Sequence, residues 1–169
     1  MAVFHGDDFN RLDWRLLQNG AVTLYHQLSV LAADIGWLTE IGYLIHDFDC
    51  TGWACQNDFH DAVTGELRFP DYYGRNIAAF NDCLSDLEIP DEGGAVLVFR
   101  RFDCFFGQEP EFAKWVLDDI QQNSRRFSLW GRRLLALVQS DDPTLNVGPL
   151  GACSASWNPR EWLDATRGL

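Results

Sequence analysis

No apolar run in this 169-residue chain approaches the roughly 20 residues that a membrane-crossing helix needs, so no membrane partner is expected. The first ten residues carry His5, Asp7 and Asp8 where a secretory leader would have a basic stretch and then an apolar one. No cleaved leader is expected, and the chain reads as cytoplasmic. Bases are scarce: 13 Lys and Arg stand against 25 Asp and Glu, a formal net charge of −12. Such a chain repels phosphate backbones, which argues against nucleic-acid binding, and attracts a basic partner. The five cysteines (Cys50, Cys55, Cys83, Cys104, Cys153) include no C-x-x-C pair, so free and mostly buried thiols are expected.

Signatures of catalysis are missing too. There is no phosphate-binding loop of the G-x-x-x-x-G-K-S/T type, no G-x-G-x-x-G, no G-x-S-x-G and no H-E-x-x-H. No cofactor is therefore expected. Residues 46–60 do collect His46, Asp47, Asp49, Cys50, Cys55, Asp58 and His60. Their spacing fits no zinc framework, and nothing lowers a thiol pKa for a Cys55–His60 pair, so no metal and no catalytic residue is assigned. An enzyme built on that cluster stays as a rival reading, which metal analysis of the purified protein would test.

What the chain does contain is apolar residues, 47% of the total with 14% aromatic, enough for one packed domain with extensions. Its negative charge is concentrated. Residues 58–92 hold nine acids and only Arg68 and Arg75, a net of −7, whereas residues 93–140 carry a net of +2. Clustering of this kind suggests a surface that faces a partner.

The apolar pattern alternates between strand and helix. Asn19-Gly20 between two apolar runs predicts a hairpin over Leu16 to Tyr25, whose second strand would join the sheet edge. A helix is predicted from Leu28 to Glu40, then a strand from Tyr43 to Phe48. Asn57 is placed as the cap of a helix that buries Phe59, Val63 and Leu67. A turn over Phe69 to Gly74 leads into a helix from Asn76 to about Leu87, with Ile77, Phe80, Leu84 and Leu87 inward. Ala95–Phe99 and Leu134–Val138 read as strands buried on both faces, as in a parallel sheet. Between them a helix from Glu109 to Gln122 turns Phe112, Trp115, Val116 and Ile120 inward. Asn158-Pro159 marks the capped start of a short terminal helix. The fold class is thus α/β, a small parallel sheet flanked by helices.

On the helix after Gly74, Asp82 points away from the apolar stripe, with Ala78 and Asp86 one turn either side of it on the exposed face. A carboxylate on a rigid helix beside an aromatic loop suits a basic pocket. The run Phe69-Pro70-Asp71-Tyr72-Tyr73-Gly74-Arg75-Asn76, followed by Ala79, Asp82 and Leu84, resembles the signature of the barstar family of intracellular ribonuclease inhibitors. The resemblance spans residues 43–140 and is similar to the longer actinobacterial members. It implies a barstar-like domain at 43–140, an N-terminal hairpin and helix extension at 1–42 packed on it, and a short C-terminal extension at 141–169.

The resemblance further implies a non-enzymatic inhibitor, or immunity protein of a toxin–antitoxin pair, whose carboxylate replaces substrate phosphate in a basic ribonuclease. Asp82 matches the family's central aspartate, an interface hot spot in barstar itself. Tyr72, Gly74 and Asn76 match loop and helix-start contacts, and Asp86 lies on the same face. Two positions depart: Ala78 replaces an aspartate and Asn81 a tryptophan. Loss of an interfacial charge costs on the order of 2–5 kcal/mol against an unchanged pocket. The alternative target is therefore another toxin class, a DNase or an ADP-ribosyltransferase. Asp118 and Asp119 are candidates for the supporting acids of the family.

Overall fold

The computed structural model describes residues 4, 6 and 8–169; His5 and Asp7, on which the leader-free reading partly rests, lie outside the described residues. The two continuous apolar runs become β3 (Gly94–Arg100) and β4 (Leu134–Gln139). They pair in parallel inside a five-stranded sheet. Outside β3 lies β2 (Tyr43–Asp49), and outside β4 lies β1 (Val22–Tyr25). A two-residue strand, β7 (Ser156–Trp157), completes the sheet beyond β1, and every pairing is parallel.

The interior strands show no polar alternation because both faces are covered. Ala95, Leu97 and Phe99 enter one apolar cluster, while Val96 and Val98 enter the other. Each fully buried Val, Leu or Phe contributes about 1.5–3 kcal/mol relative to exposure, so a polar residue on either face would be costly. One face carries α1 (Leu12–Leu17) and α2 (Leu28–Glu40), which bury Leu16, Leu31 and Leu38. The other carries α3 (Gln56–Glu66), α4 (Ile77–Ser85), α5 (Phe102–Gln108) and α6 (Pro110–Leu129). Phe59 of α3 is the hub of that layer. Its ring meets Phe80 of α4 edge-on at 5.0 Å and Phe112 of α6 at 5.5 Å. These contacts back α4 with rigid packing.

Several expectations need correction. No hairpin forms at Asn19-Gly20, because Leu16-Leu17 ends α1 and the pair only joins that helix to β1. A short apolar run fits a helix end as well as a strand. Gly20 sits at φ +131°, and a Cβ there would lie 2.8 Å from Gln121 Oε1, which accepts from the Ala21 N–H. β1 joins β4 as expected of an added strand, but β7 takes the edge position. The cap of α3 is Cys55, not Asn57, and Asp58 closes the capping box by accepting from the Cys55 N–H at 3.0 Å. The helix predicted over 109–122 runs on to Leu129, and α5 precedes it.

Trp115 is 50% exposed, since it lies far round α6 from the stripe of Phe112, Val116, Ile120 and Phe127. Leu117 occupies an inward position in its place. The thiols are free, but only Cys50 is buried; Cys55 is exposed and the other three are half-buried. Among the described residues no helix is long and apolar enough to cross a membrane.

The C-terminal segment forms a small antiparallel pair, β5 (Pro149–Leu150) with β6 (Cys153–Ser154), before β7. Asn158 then caps a 3-10 turn at Pro159–Glu161, accepting from the Arg160 N–H at 3.0 Å. That turn is tied to α2. Glu161 accepts from the N–H groups of His26 and Gln27, and Arg160 pairs with buried Asp34.

Candidate functional site

The loop before α4 is held by its buried aromatics. Phe69 and Tyr73 pack ring to ring at 5.0 Å, and the Tyr73 N–H donates to Pro70 O at 2.9 Å. The Tyr73 hydroxyl meets His60 Nδ1 on α3. Between these anchors Tyr72 is 83% exposed. Arg75, at φ 48°, ties the loop back to α3 by donating to Asp61 Oδ1 at 2.6 Å.

Asn76 then starts α4. Its Oδ1 accepts from the Ala79 N–H at 2.9 Å and its Nδ2 donates to Gly74 O at 3.1 Å. A Cβ on Gly74 would lie 3.1 Å from Asn76 Nδ2 and 3.4 Å from the Ala79 methyl, so the cap leaves little room for a side chain. Asn76 and Gly74 thus shape the helix start as well as lining the exposed surface.

Along α4, Phe80 and Leu84 are fully buried, while Ala78, Asp82 and, at the C-cap, Asp86 are exposed. Asn81 is half-buried, and its Oδ1 accepts from Asn123 Nδ2 of α6 at 2.8 Å. The structure therefore brings Asp82 beside α6. Burial, then the charges of Asp118 and Asp82, push the Asp119 carboxyl up to about 6. Asp118 Oδ2 accepts from Gln122 Nε2 at 3.0 Å. Asp118 Oδ1, Asp119 Oδ2 and Asn123 Oδ1 are buried and meet no donor among the described residues. Asp119 and Asn123, one turn apart on α6, thus leave acceptor oxygens that suit a guanidinium or ammonium group, which offers several N–H donors and a positive charge.

Asn123 is the residue of the candidate site that does not show in the sequence pattern, because the helix predicted there stops at Gln122. The signal for a longer helix is Phe127, which continues the inward stripe of that helix past Asn123. The ligand-type residues of 46–60 do not converge. His46 is within 3.1 Å of Glu66 Oε1, His60 is engaged by Tyr73, and Cys55 caps α3. Burial, then the charge of Arg75, lowers the His60 pKa. Among the described residues no three His, Cys, Asp or Glu side chains could share a metal ion.

Two comparisons bear on this geometry. The chain matches the family described as Barstar (barnase inhibitor) over residues 43–139, more than half its length. It is also 39% identical over 67 residues to a Bacillus subtilis (strain 168) protein named "Putative ribonuclease inhibitor YrdF". That match covers 37% of this chain and 66% of the Bacillus protein, slightly under two thirds. The matched region contains β2, β3 and β4 with α3 to α6, so β1 and β7 are contributed from outside it. With the sheet order, the aromatic loop and the acidic helix all in place, the chain belongs to the Barstar (barnase inhibitor) family.

Proposed function

We propose that this protein is a non-enzymatic inhibitor, acting in the cytoplasm, that fills the basic active site of a ribonuclease with Asp82 as its central anchor. The observation that carries the reading is the exposed carboxylate of Asp82 beside the half-buried one of Asp119 on the neighbouring helix. A ribonuclease holds phosphate with Arg and Lys, and carboxylates backed by a rigid helix take the place of that phosphate. Tyr72, Gly74 and Asn76 flank the anchor from the loop, and Asp86 extends the acidic line. Ala78 and Asn81 border it without charge. The −7 of residues 58–92 steers a basic enzyme toward this face, at rates that salt reduces.

Inhibition of a barnase-type ribonuclease at low and physiological salt tests the proposal. Affinity of about nanomolar order that weakens with salt supports it. No inhibition of barnase-type or host basic ribonucleases at either salt would overturn it.

A second reading keeps the immunity role but makes the target a DNase or an ADP-ribosyltransferase. It is favoured by Ala78, where the family pattern has a charge, and by Asn81, which is spent on Asn123. Co-purification with a toxin encoded beside this chain separates the two.

A further inference from the structure

A groove of about 710 Å³ runs from Asp82 and Tyr72 to the edge of the sheet at β2. Leu44 and Ile45, successive residues whose side chains stand on opposite faces of the strand, both border it, so it opens on the strand's edge. Among the described residues no strand pairs with the outer side of β2, which leaves main-chain N–H and C=O groups unpaired along it. Edges of this kind take up an extended segment by main-chain hydrogen bonding.

The chemistry of the walls narrows the occupant. Glu66, Asp82, Asp86 and Glu88 border the groove, and Arg68 is the one Arg or Lys among the described residues that do. Glu66 is held in place, its Oε1 3.1 Å from Nδ1 of buried His46. Those acids lie on the face of the sheet that carries α3 and α4, while Ile45, half-buried against the α2 layer, gives the edge an apolar side on the opposite face. An extended chain directs alternate side chains to opposite sides, so one that alternates apolar and cationic residues matches both walls.

We propose that this groove binds an extended, cationic segment of the partner, which adds to β2 as a further strand while Asp82 fills the partner's basic pocket. The inference rests on the inhibitor reading for the identity of the partner, but its binding chemistry stands on the groove alone.

The test uses the isotope-labelled full chain titrated with a short peptide alternating Arg and Val, and with its Glu and Val counterpart. Amide resonances of residues 44–47 and 66–68 are expected to shift with the cationic peptide only, and the β2 amides to gain protection from hydrogen exchange. The combined variant Glu66→Gln, Asp86→Asn, Glu88→Gln, all at exposed side chains, is expected to weaken the peptide at least about fivefold. Asp82→Ala weakens it less. Absent shifts at β2, shifts confined to the neighbourhood of Asp119, or equal binding of the acidic peptide would overturn the proposal. The same preparations assayed against a ribonuclease separate the two ideas. Peptide in the groove without inhibition sinks the ribonuclease reading alone, and inhibition without peptide at β2 sinks the groove alone.

Discussion

Asn123 of α6 donates from Nδ2 to Asn81 Oδ1 at 2.8 Å and to the Asp119 carbonyl at 2.9 Å, which fastens α4 to α6 one residue before Asp82. The position of the exposed aspartate is thus set by a buried amide on a different helix. A side chain that an inhibitor must hold rigid before it meets its target loses less freedom on binding when its helix is fixed in this way.

Asn123→Ala should destabilise the protein by about 1–3 kcal/mol, since it removes two hydrogen bonds of a buried amide and leaves half-buried Asn81 without its donor. It should also weaken target binding although Asn123 itself is buried. Urea unfolding and a binding isotherm read the two effects. A double-mutant cycle with Asp82→Ala then shows coupling if the amide acts through the anchor, and additivity if it does not.

Asp119 is expected to make affinity depend on pH. Its pKa of about 6 in the free protein lies above the ordinary 3.8, so between these values the folded state binds more protons than the unfolded. Free-protein stability from this group therefore falls as pH rises through that window and is steady above it. A cation arriving from the partner lowers the pKa, so binding releases a proton at pH below about 6 and weakens as the pH drops. Asp119→Asn should flatten both profiles. Calorimetry in buffers of different ionisation enthalpy checks the proton release.

The C-terminal segment is expected to be needed for stability. Buried Asp34 is met by the Tyr25 hydroxyl at 2.9 Å, by Asn158 Nδ2 at 2.8 Å and by Arg160. Arg160→Ala removes the charge that balances a buried carboxylate, and about 1–3 kcal/mol of stability should go with it. Denaturant melts measure this. Target affinity, read on the folded variant, should stay at its original value because the clasp lies on the α2 face of the sheet, away from α4.

Much of this was legible in the sequence. β3 and β4 showed as unbroken apolar runs because both faces of each strand are covered, and α4 showed its stripe and its exposed Asp82 at helical spacing. The hairpin failed because Leu16-Leu17 carries no mark that separates a helix end from a strand. β7, at Ser156–Trp157, has too few residues to set up a period, and it is defined by β1 beside it. Within the candidate site, Asp82, Tyr72 and Asn76 could be read from one stretch of chain. The Asn81–Asn123 bond and the burial of Asp119 could not, since they depend on how α4 and α6 face one another.

The most direct measurement is the affinity of Asp82→Ala for a barnase-type ribonuclease, with the fold of the variant checked by circular dichroism. The account predicts that the parent chain inhibits and that the variant loses at least about 2 kcal/mol of binding, some thirtyfold in affinity. A folded variant that loses less than about 0.5 kcal/mol would contradict the assignment of Asp82 as the central anchor.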